Sequence, residues 1–242
     1  MAPSISVIIP TWCEESLVAS SVRDGLALGD EVIVADGGST DETAAAARAA
    51  GARVVIAPRG RGPQLHAGAC DARGDVLLFL HADAKLPAAA RGAIVEALAD
   101  EAVIGGNFYL RFVPASFAAR LFTWANDVRR RRLRIYYGDS AIFVRRSTYE
   151  SLGGFRTMPI FEDYELVRRL ERAGRTAYVR SITVEASARR FEQAPIRTLV
   201  IWTVLQFLYS AIGVSPHRLA RFYTTTRPTV APSSSSCGRG AG

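Results

Sequence analysis

The chain has 242 residues, of which 49% are hydrophobic and 22% charged, and its formal net charge is +7 at pH 7. This length allows one sizeable domain with a modest appendage, and the hydrophobic content excludes a mainly disordered protein. The positive charge favours an anionic partner. Sugar-nucleotide diphosphates, acidic lipid headgroups and nucleic acid all meet that description, so charge alone does not choose between them.

Cysteine usage and the N-terminal segment bear on the cellular compartment. Only three cysteines occur and they form no C-x-x-C pair, which argues against a zinc site and fits a reducing cytoplasm. The first apolar stretch begins at Ile5 with no basic region or small-residue cleavage site before it, so we expect no signal peptide. The sequence therefore predicts a cytoplasmic protein.

Strands and helices alternate through the first hundred residues. The apolar runs at 32–35 and 76–80 are continuous, which is typical of strands buried on both faces of a sheet. This order predicts an α/β fold with a doubly wound, mainly parallel sheet flanked by helices. We expect strands at 5–9, 32–35, 54–56 and 76–80, and helices at 14–26, 41–51, 64–72 and 87–98.

The pattern changes after residue 102, where glycine pairs, aromatic residues and arginines become frequent. Further strands are expected at 105–112, 141–144 and 178–184, the first of them on a mixed part of the sheet. An amphipathic helix is expected at 162–173, with its apolar residues on one side.

The C-terminal part is predicted to differ from the rest of the chain. Residues 1–192 would form one domain, 193–223 an apolar or amphipathic helical segment, and 224–242 a disordered tail. Residues 198–215 carry no charge but are interrupted by polar side chains. The sequence leaves open whether this helix spans a membrane, lies in its interface or packs on the domain.

The turn at 36–41, Asp-Gly-Gly-Ser-Thr-Asp, is the first candidate functional segment. It can be a structural βα turn with a capped helix, or Asp36 can accept a hydrogen bond from a base N–H or a ribose hydroxyl. Thr11 and Glu14 follow the first strand and would lie beside Asp36, because parallel strands end at one edge of the sheet. The dinucleotide pattern G-x-G-x-x-G is missing.

His81 and Asp83 follow the buried strand at 76–80 and are candidate metal ligands. At alternate positions both side chains could approach one cation or its bound phosphates. The combination suits Mg²⁺ or Mn²⁺, and the histidine favours Mn²⁺. The structural alternative is a turn in which Asp83 caps the following helix.

Glu162 and Asp163 begin the amphipathic helix. Acidic residues are favoured there by the helix dipole alone, but a carboxylate at a helix start beside a cleft can also act as a general base toward a hydroxyl group. The sequence leaves both interpretations open for this pair.

A run of arginines forms a concentrated positive patch. It can be a solvated face, a flexible flap over a diphosphate, or a contact with an acidic membrane. Nucleic-acid binding is not expected, because no recognised module accompanies the patch. The run consists of Arg129, Arg130, Arg131, Arg132 and Arg134.

In this order the segments resemble family 2 glycosyltransferases of the GT-A fold. The match covers about residues 4–190. The segment at 138–146, Gly-Asp-Ser-Ala-Ile-Phe-Val-Arg-Arg, is similar to the radical-SAM and selenodomain-associated subgroup. The matching segments are Ser-Val-Ile-Ile-Pro-Thr at 6–11 with Glu14, Val-Ala-Asp-Gly-Gly-Ser-Thr-Asp at 34–41, Leu-Phe-Leu-His-Ala-Asp at 78–83 and Phe-Glu-Asp-Tyr-Glu-Leu at 161–166.

The resemblance implies a role for each matching residue. Asp83 corresponds to the last aspartate of the D-x-D motif and would bind the metal, whereas His81 departs from the first. Asp163 corresponds to the catalytic base, with Glu162 beside it. Arg61 would flank the base or the phosphates. The nucleoside would be surrounded by Pro10, Thr11, Glu14 and Asp36.

The resemblance also implies an inverting, metal-assisted transfer of a sugar from a nucleotide-diphosphate donor to an acceptor hydroxyl. The processive Q-x-x-R-W signature is not matched at 193–198, which disfavours long polymers. The alternative is a non-catalytic nucleotide-sugar-binding or membrane-recruited interaction protein on the same scaffold. The apolar segment and the arginine run favour a lipid or lipid-linked acceptor and a peripheral position at the inner face of an anionic membrane.

Overall fold

A computed structural model describes residues 2–188 and 195–226. Within these ranges the chain forms a seven-stranded sheet with helices on both faces. The strands are β1 Ile5–Thr11, β2 Glu31–Asp36, β3 Arg53–Ile56, β4 Val76–Phe79, β5 Val103–Val113, β6 Ile142–Arg145 and β7 Arg175–Ser187.

Several helices pack against this sheet, and a short 3₁₀ turn at Gly138–Ser140 precedes β6. The helices are α1 Glu15–Leu26, α2 Thr43–Ala49, α3 Arg61–Asp71, α4 Ala90–Ala97, α5 Phe117–Leu133, α6 Arg146–Ser151, α7 Glu162–Ala173, α8 Pro195–Ser210 and α9 Pro216–Thr226.

The strand order is β3-β2-β1-β4-β6-β5-β7. Strand β1 lies between β2 and β4 and is parallel to both. Strand β6 is antiparallel to its neighbours β4 and β5, and β5 is parallel to β7. The mainly parallel sheet and its mixed part are therefore as the sequence predicts, and β1, β2 and β4 end at the same edge.

The apolar runs are continuous because each sheet face is covered. Val7 and Ile9 of β1 face one core with helices α1 and α4, whereas Ile8 faces a second core with α3 and α7. Ile33 of β2 belongs to the second core and Val34 to the first. Alternate side chains of one strand thus enter opposite layers, and both layers exclude water.

Helix α5 was not predicted from the sequence. Ser116 caps it, since its hydroxyl oxygen accepts a hydrogen bond from the Ala119 N–H at 3.1 Å. Arg134, in the left-handed region with φ of 55°, ends it. The arginine run therefore lies on the last turns of a helix and not in a loop.

The apolar C-terminal segment packs on the domain through part of its surface. Leu205 of α8 is buried, and Trp202 packs against the first core. No helix in the described residues is long and apolar enough to cross a membrane, so the spanning interpretation is not supported there. Helix α9 continues to Thr226, three residues into the tail predicted from 224. Residues 227–242, and Gln193 of the compared processive signature, lie outside the described residues.

Candidate active site

The ends of β1 and β2 form the first part of the site. Thr11 and Asp36 are register partners, and the Thr11 hydroxyl donates to Asp36 Oδ1 at 3.3 Å. The same carboxylate accepts hydrogen bonds from the backbone N–H groups of Gly38 and Ser39 and from the Ser39 hydroxyl. Asp36 is only 1% exposed, so in this structure its carboxylate shapes its own turn.

Gln64 joins this turn to helix α3. Its amide nitrogen donates to the carbonyl oxygens of Thr11 at 2.6 Å and Ala35 at 2.9 Å. Its amide oxygen accepts from the Gly60 N–H at 3.1 Å. One buried side chain thus satisfies backbone groups where three segments meet. The sequence analysis did not identify Gln64, because a glutamine in a helix has no distinctive pattern.

Three acidic residues interact where β1, the β2 turn and β4 end. Burial raises the pKa of the half-buried Glu14 carboxyl, and the negative charges of Asp83 and Asp41 raise it further. Asp41 itself accepts hydrogen bonds from the backbone N–H and hydroxyl of Thr43. Carboxylates that repel one another at a sheet edge favour binding of a cation.

The donor set fits a divalent cation that also takes ligands from its substrate. In the described ranges no three His, Cys, Asp or Glu side chains converge on one metal position. Mg²⁺ usually binds through one or two carboxylates together with phosphate oxygens and water. Asp83 is exposed and lies near Glu14, and its carboxylate suits that mode of binding.

Glu162 connects the start of α7 to the start of α3. It is 2% exposed, and Arg61 Nε lies 2.8 Å from Glu162 Oε1. Burial raises the pKa of Glu162, the Arg61 charge opposes this change, and Asp163 adds to it. A Cβ on Gly62 would lie 3.2 Å from the Glu162 Cβ, so α3 and α7 approach closely at this point. The contact brings Arg61 and the acidic pair together.

Asp163 is the second buried carboxylate of α7. Its Oδ2 accepts a hydrogen bond from the Gly138 N–H at 2.8 Å, and its Oδ1 accepts one from the Tyr164 N–H at 2.7 Å. A Cβ placed on Gly138 would lie 3.0 Å from His81 Nε2 and 3.4 Å from Asp163 Oδ2. His81 and Asp163, 82 positions apart in the sequence, therefore flank the same glycine.

The arginine run is divided between structural and exposed positions. Arg130 is 5% exposed; it donates to Asn107 Oδ1 at 2.7 Å and pairs with Glu171 at 3.1 Å. Arg129 donates to Asn126 Oδ1 at 2.7 Å. The interpretation of the whole run as a solvated face is therefore wrong, because Arg130 is buried. The members that remain exposed are Arg131, Arg132 and Arg134.

The structure brings most predicted site residues to one edge, in two groups. Pro10 is buried within β1, one residue before Thr11. The first group contains the Thr11–Asp36 pair and the Glu14–Asp83 interaction, and the second contains His81 and Asp163. Gly138 is the neighbour of both His81 and Asp163 that the sequence analysis missed. Its signal was its position in the segment at 138–146, but a glycine gave no chemical reason to select it.

Fold and site together define an α/β protein with acidic groups at the carboxyl ends of its strands, the edge at which such folds bind ligands. Residues 6–150 match the profile described as glycosyl transferase family 2. This match covers more than half of the chain, and the protein belongs to that family.

Curated relatives match a short part of the chain. The glucosyl-3-phosphoglycerate synthase of Mycolicibacterium paratuberculosis is 40% identical over 96 residues, which are 33% of this chain and 28% of that protein. An uncharacterized glycosyltransferase of Mycobacterium bovis is 34% identical over 86 residues, 35% of this chain and 39% of that protein. The matched region thus corresponds to less than half the length of either relative.

Solved structures share the fold over most of the chain. The mannosyltransferase of Pyrobaculum calidifontis, in complex with GDP-Man and Mn²⁺, has a TM-score of 0.65 at 22% identity, covering 92% of this chain and 70% of that one. The glucosyl-3-phosphoglycerate synthase of Mycobacterium tuberculosis, in complex with Mn²⁺, UDP and phosphoglyceric acid, has a TM-score of 0.58 at 22% identity, covering 85% and 78%. The GT-A fold is therefore confirmed.

Proposed function

We propose that this protein is an inverting, non-processive glycosyltransferase that moves a sugar from a nucleotide-diphosphate donor to an acceptor hydroxyl. The observation that carries the proposal is the buried Asp163 carboxylate, held by the Gly138 N–H beside His81, two residues from Asp83. The proposed base, Asp163, and the proposed oxygen ligand for a cation, Asp83, therefore lie at adjacent parts of one sheet edge. Family membership supports the same reaction.

The nucleotide would bind at the ends of β1 and β2. Pro10, Thr11 and Glu14 would line the nucleoside, and Asp36 would hold the turn that faces it. Arg61 would flank the base or the phosphates. Its side chain is 45% exposed while it pairs with Glu162, and a guanidinium group suits the binding of phosphate oxygens.

Asp83 would hold Mn²⁺ or Mg²⁺, with His81 as the second protein ligand on the same turn. A bound divalent cation would neutralise charge that develops on the departing diphosphate. Without a cation, the carboxylates of Asp83 and Asp41 repel that of Glu14. A cation at Asp83 would reduce this repulsion, which supports the proposed position.

Asp163 would take the proton of the acceptor hydroxyl. The hydroxyl oxygen then forms a bond to the anomeric carbon, the bond from that carbon to the diphosphate oxygen breaks, and the nucleoside diphosphate leaves with the electron pair. Attack opposite the leaving group inverts the configuration. Glu162 is the next candidate for the base, but it pairs with Arg61 and is more deeply buried than Asp163, 2% against 8% exposed.

The donor and acceptor are proposed by class. The related structures contain GDP-Man or UDP, and one contains phosphoglyceric acid, so GDP and UDP sugars are the first donors to test. We propose a lipid or lipid-linked acceptor in preference to a small phosphorylated acid, on the basis of the exposed apolar residues of α8.

Helix α8 has an exposed apolar face that suits an anionic membrane surface. Val200, Val204 and Phe207 are 54%, 48% and 59% exposed, and their spacing places them on one side of the helix. Arg197 at its start and Arg218 in α9 are also exposed. Each basic residue near an anionic membrane contributes about 1 kcal/mol. We propose a cytoplasmic enzyme bound peripherally at the inner membrane face.

Within the family we propose the radical-SAM and selenodomain-associated subgroup. The support is the segment at 138–146, which supplies both the N–H that binds Asp163 and strand β6. A side chain at position 138 would approach His81 and Asp163. This preference for glycine gives the segment a physical reason to mark the subgroup.

A donor screen tests the proposed function. We expect Mn²⁺ together with one GDP or UDP sugar to raise the melting temperature, since a ligand at 100 times its Kd stabilises the folded state by about 2.7 kcal/mol. Asp83→Ala should abolish the Mn²⁺-dependent part while retaining the fold. Unchanged metal affinity in that variant would contradict the assignment. Donor hydrolysis that requires Mn²⁺ would exclude the non-catalytic alternative.

A further inference from the structure

Helix α8 contacts both segments that hold Asp163. Gln206 and Tyr209 are three residues apart and therefore lie on the same side of the helix. Gln206 reaches the segment before the 3₁₀ turn, and Tyr209 reaches the start of α7. This side differs from the exposed apolar face at Val200, Val204 and Phe207.

The Gln206 contact acts on the donor of the Asp163 hydrogen bond. The Tyr137 hydroxyl donates to Gln206 Oε1 at 2.5 Å. Arg129 Nη1 lies 3.4 Å from both of these oxygens, so the pair is joined to α5 as well. Tyr137 directly precedes Gly138, whose N–H binds Asp163 Oδ2. Fixing the Tyr137 side chain therefore restricts the backbone that presents this N–H.

The Tyr209 contact acts on the residue where α7 begins. Its ring is stacked on Phe161, with 5.2 Å between centroids and an interplanar angle of 10°. Phe161 has φ of 65°, a left-handed conformation that a residue with a side chain adopts only when its surroundings enforce it. Tyr164 packs edge-on against both rings. In the sequence, Asp163 lies between Phe161 and Tyr164, and Tyr209 contacts both of these aromatic residues.

We propose that Gln206 and Tyr209 are positioning residues for Asp163, so that α8 is part of the catalytic apparatus as well as a surface element. This inference rests on the proposed function, in which Asp163 is the base. A base must be within hydrogen-bond reach of the proton that it removes. Gln206 and Tyr209 act on the two supports of that geometry, whereas the nucleotide end of the site lies at Thr11 and Asp36.

The test compares variants that loosen each support with conservative ones. Tyr209→Ala removes the stacked ring and Tyr209→Phe keeps it; Gln206→Leu removes the acceptor and Gln206→Glu keeps one. Trp124→Ala is the control, because it removes an aromatic ring of 62% exposure from α5. Release of nucleoside diphosphate from the GDP or UDP sugar selected by the screen gives kcat and KM, and melting temperature reports folding.

We expect Tyr209→Ala and Gln206→Leu to lower kcat by about 10- to 100-fold, as a displacement near 1 Å does elsewhere. The donor KM and the affinity for Mn²⁺ with GDP or UDP should stay within about twofold of the wild type. The substitutions do not change the interactions that bind the donor equally in the ground state and the transition state. The conservative variants and Trp124→Ala should retain kcat.

Two results separate this inference from the proposed function. If Asp163→Asn abolishes turnover but both loosening variants match Trp124→Ala in kcat, the positioning role is refuted and the base assignment stands. If Asp163→Asn itself turns over normally, the proposed function fails. If the Tyr209→Ala variant does not fold, the Gln206→Leu variant decides, because it removes only the hydrogen bonds that Gln206 Oε1 accepts from Tyr137 and Arg129. Normal kcat in a folded Gln206→Leu variant overturns the inference.

Discussion

The backbone N–H of Gly138 lies 2.8 Å from Asp163 Oδ2 and donates a hydrogen bond to it. The glycine belongs to the turn before β6, whereas the carboxylate belongs to the first turn of α7. The orientation of the proposed base therefore depends on a backbone segment 25 residues away in the sequence, and a side chain at position 138 would disturb it.

We predict that Gly138→Ala impairs transfer more than it impairs folding. The added Cβ would lie 3.0 Å from His81 Nε2, so the His81 side chain must shift by a few tenths of an ångström, and it would be in van der Waals contact with Asp163 Oδ2 at 3.4 Å. Because these are side-chain atoms, the loss of unfolding free energy should be at the lower end of the overpacking range, about 1 kcal/mol. Chemical denaturation and kcat measure the two effects.

Gly92→Ala is the matched control for this variant, because a Cβ there meets no heavy atom within 4 Å. Wild-type turnover in a folded Gly138→Ala protein would show that the contact with Asp163 does not affect the reaction.

We predict that Glu14→Gln stabilises the protein without added metal at neutral pH, and that this effect disappears in acid. The pKa of Glu14 is raised above its ordinary value of 4.5, first by burial and then by Asp83 and Asp41. The folded state therefore binds its proton more tightly than the unfolded state, and stability falls as pH rises through the folded pKa. Gln is neutral throughout. The gain at pH 7 should be about 0.5 kcal/mol or less, because Glu14 is half exposed.

Melting curves from pH 4 to pH 8 test this dependence, with Glu96→Gln on the exposed side of α4 as the control. A Glu14→Gln difference that is constant over this range would mean that the charge of Glu14 is not the cause.

The local sequence predicts elements well where its pattern is complete. Helix α7 runs from Glu162 to Ala173 as expected, because its apolar residues recur on one side, acidic residues begin it and Gly174 follows it. Helix α5 was missed, because its arginines were read as a surface patch and the Ser116 cap was not recognised.

The sequence predicted where the site lies better than it predicted which residues contact one another there. Buried strands leading to Asp36 and Asp83 place them at one sheet edge by topology alone. The bonds of Gly138 to Asp163 and of Tyr137 to Gln206 join segments far apart in the chain. The periodicity of apolar residues in the sequence does not predict such pairs, because they form only when the helices pack on the sheet.

We predict that the protein floats with anionic vesicles at low salt and is released at high salt. An apolar face that inserts in part and several exposed arginines give reversible binding. Val204→Asp with Phe207→Asp should prevent flotation, because both side chains are about half exposed on α8 and charges there would have to enter the interface. Trp124→Ala serves as the control. Wild-type protein that stays at the bottom with anionic vesicles refutes membrane recruitment.

The most direct test of the central claim is the turnover of Asp163→Asn with the donor and Mn²⁺. The amide keeps the size of the carboxylate but cannot take the acceptor proton, and loss of a general base typically lowers the rate by about 10²–10⁴-fold. We predict that donor and metal affinities, measured by calorimetry, match the wild type while kcat falls by this factor. A near-normal kcat with tight donor binding would contradict the account and make Glu162 the next base to test.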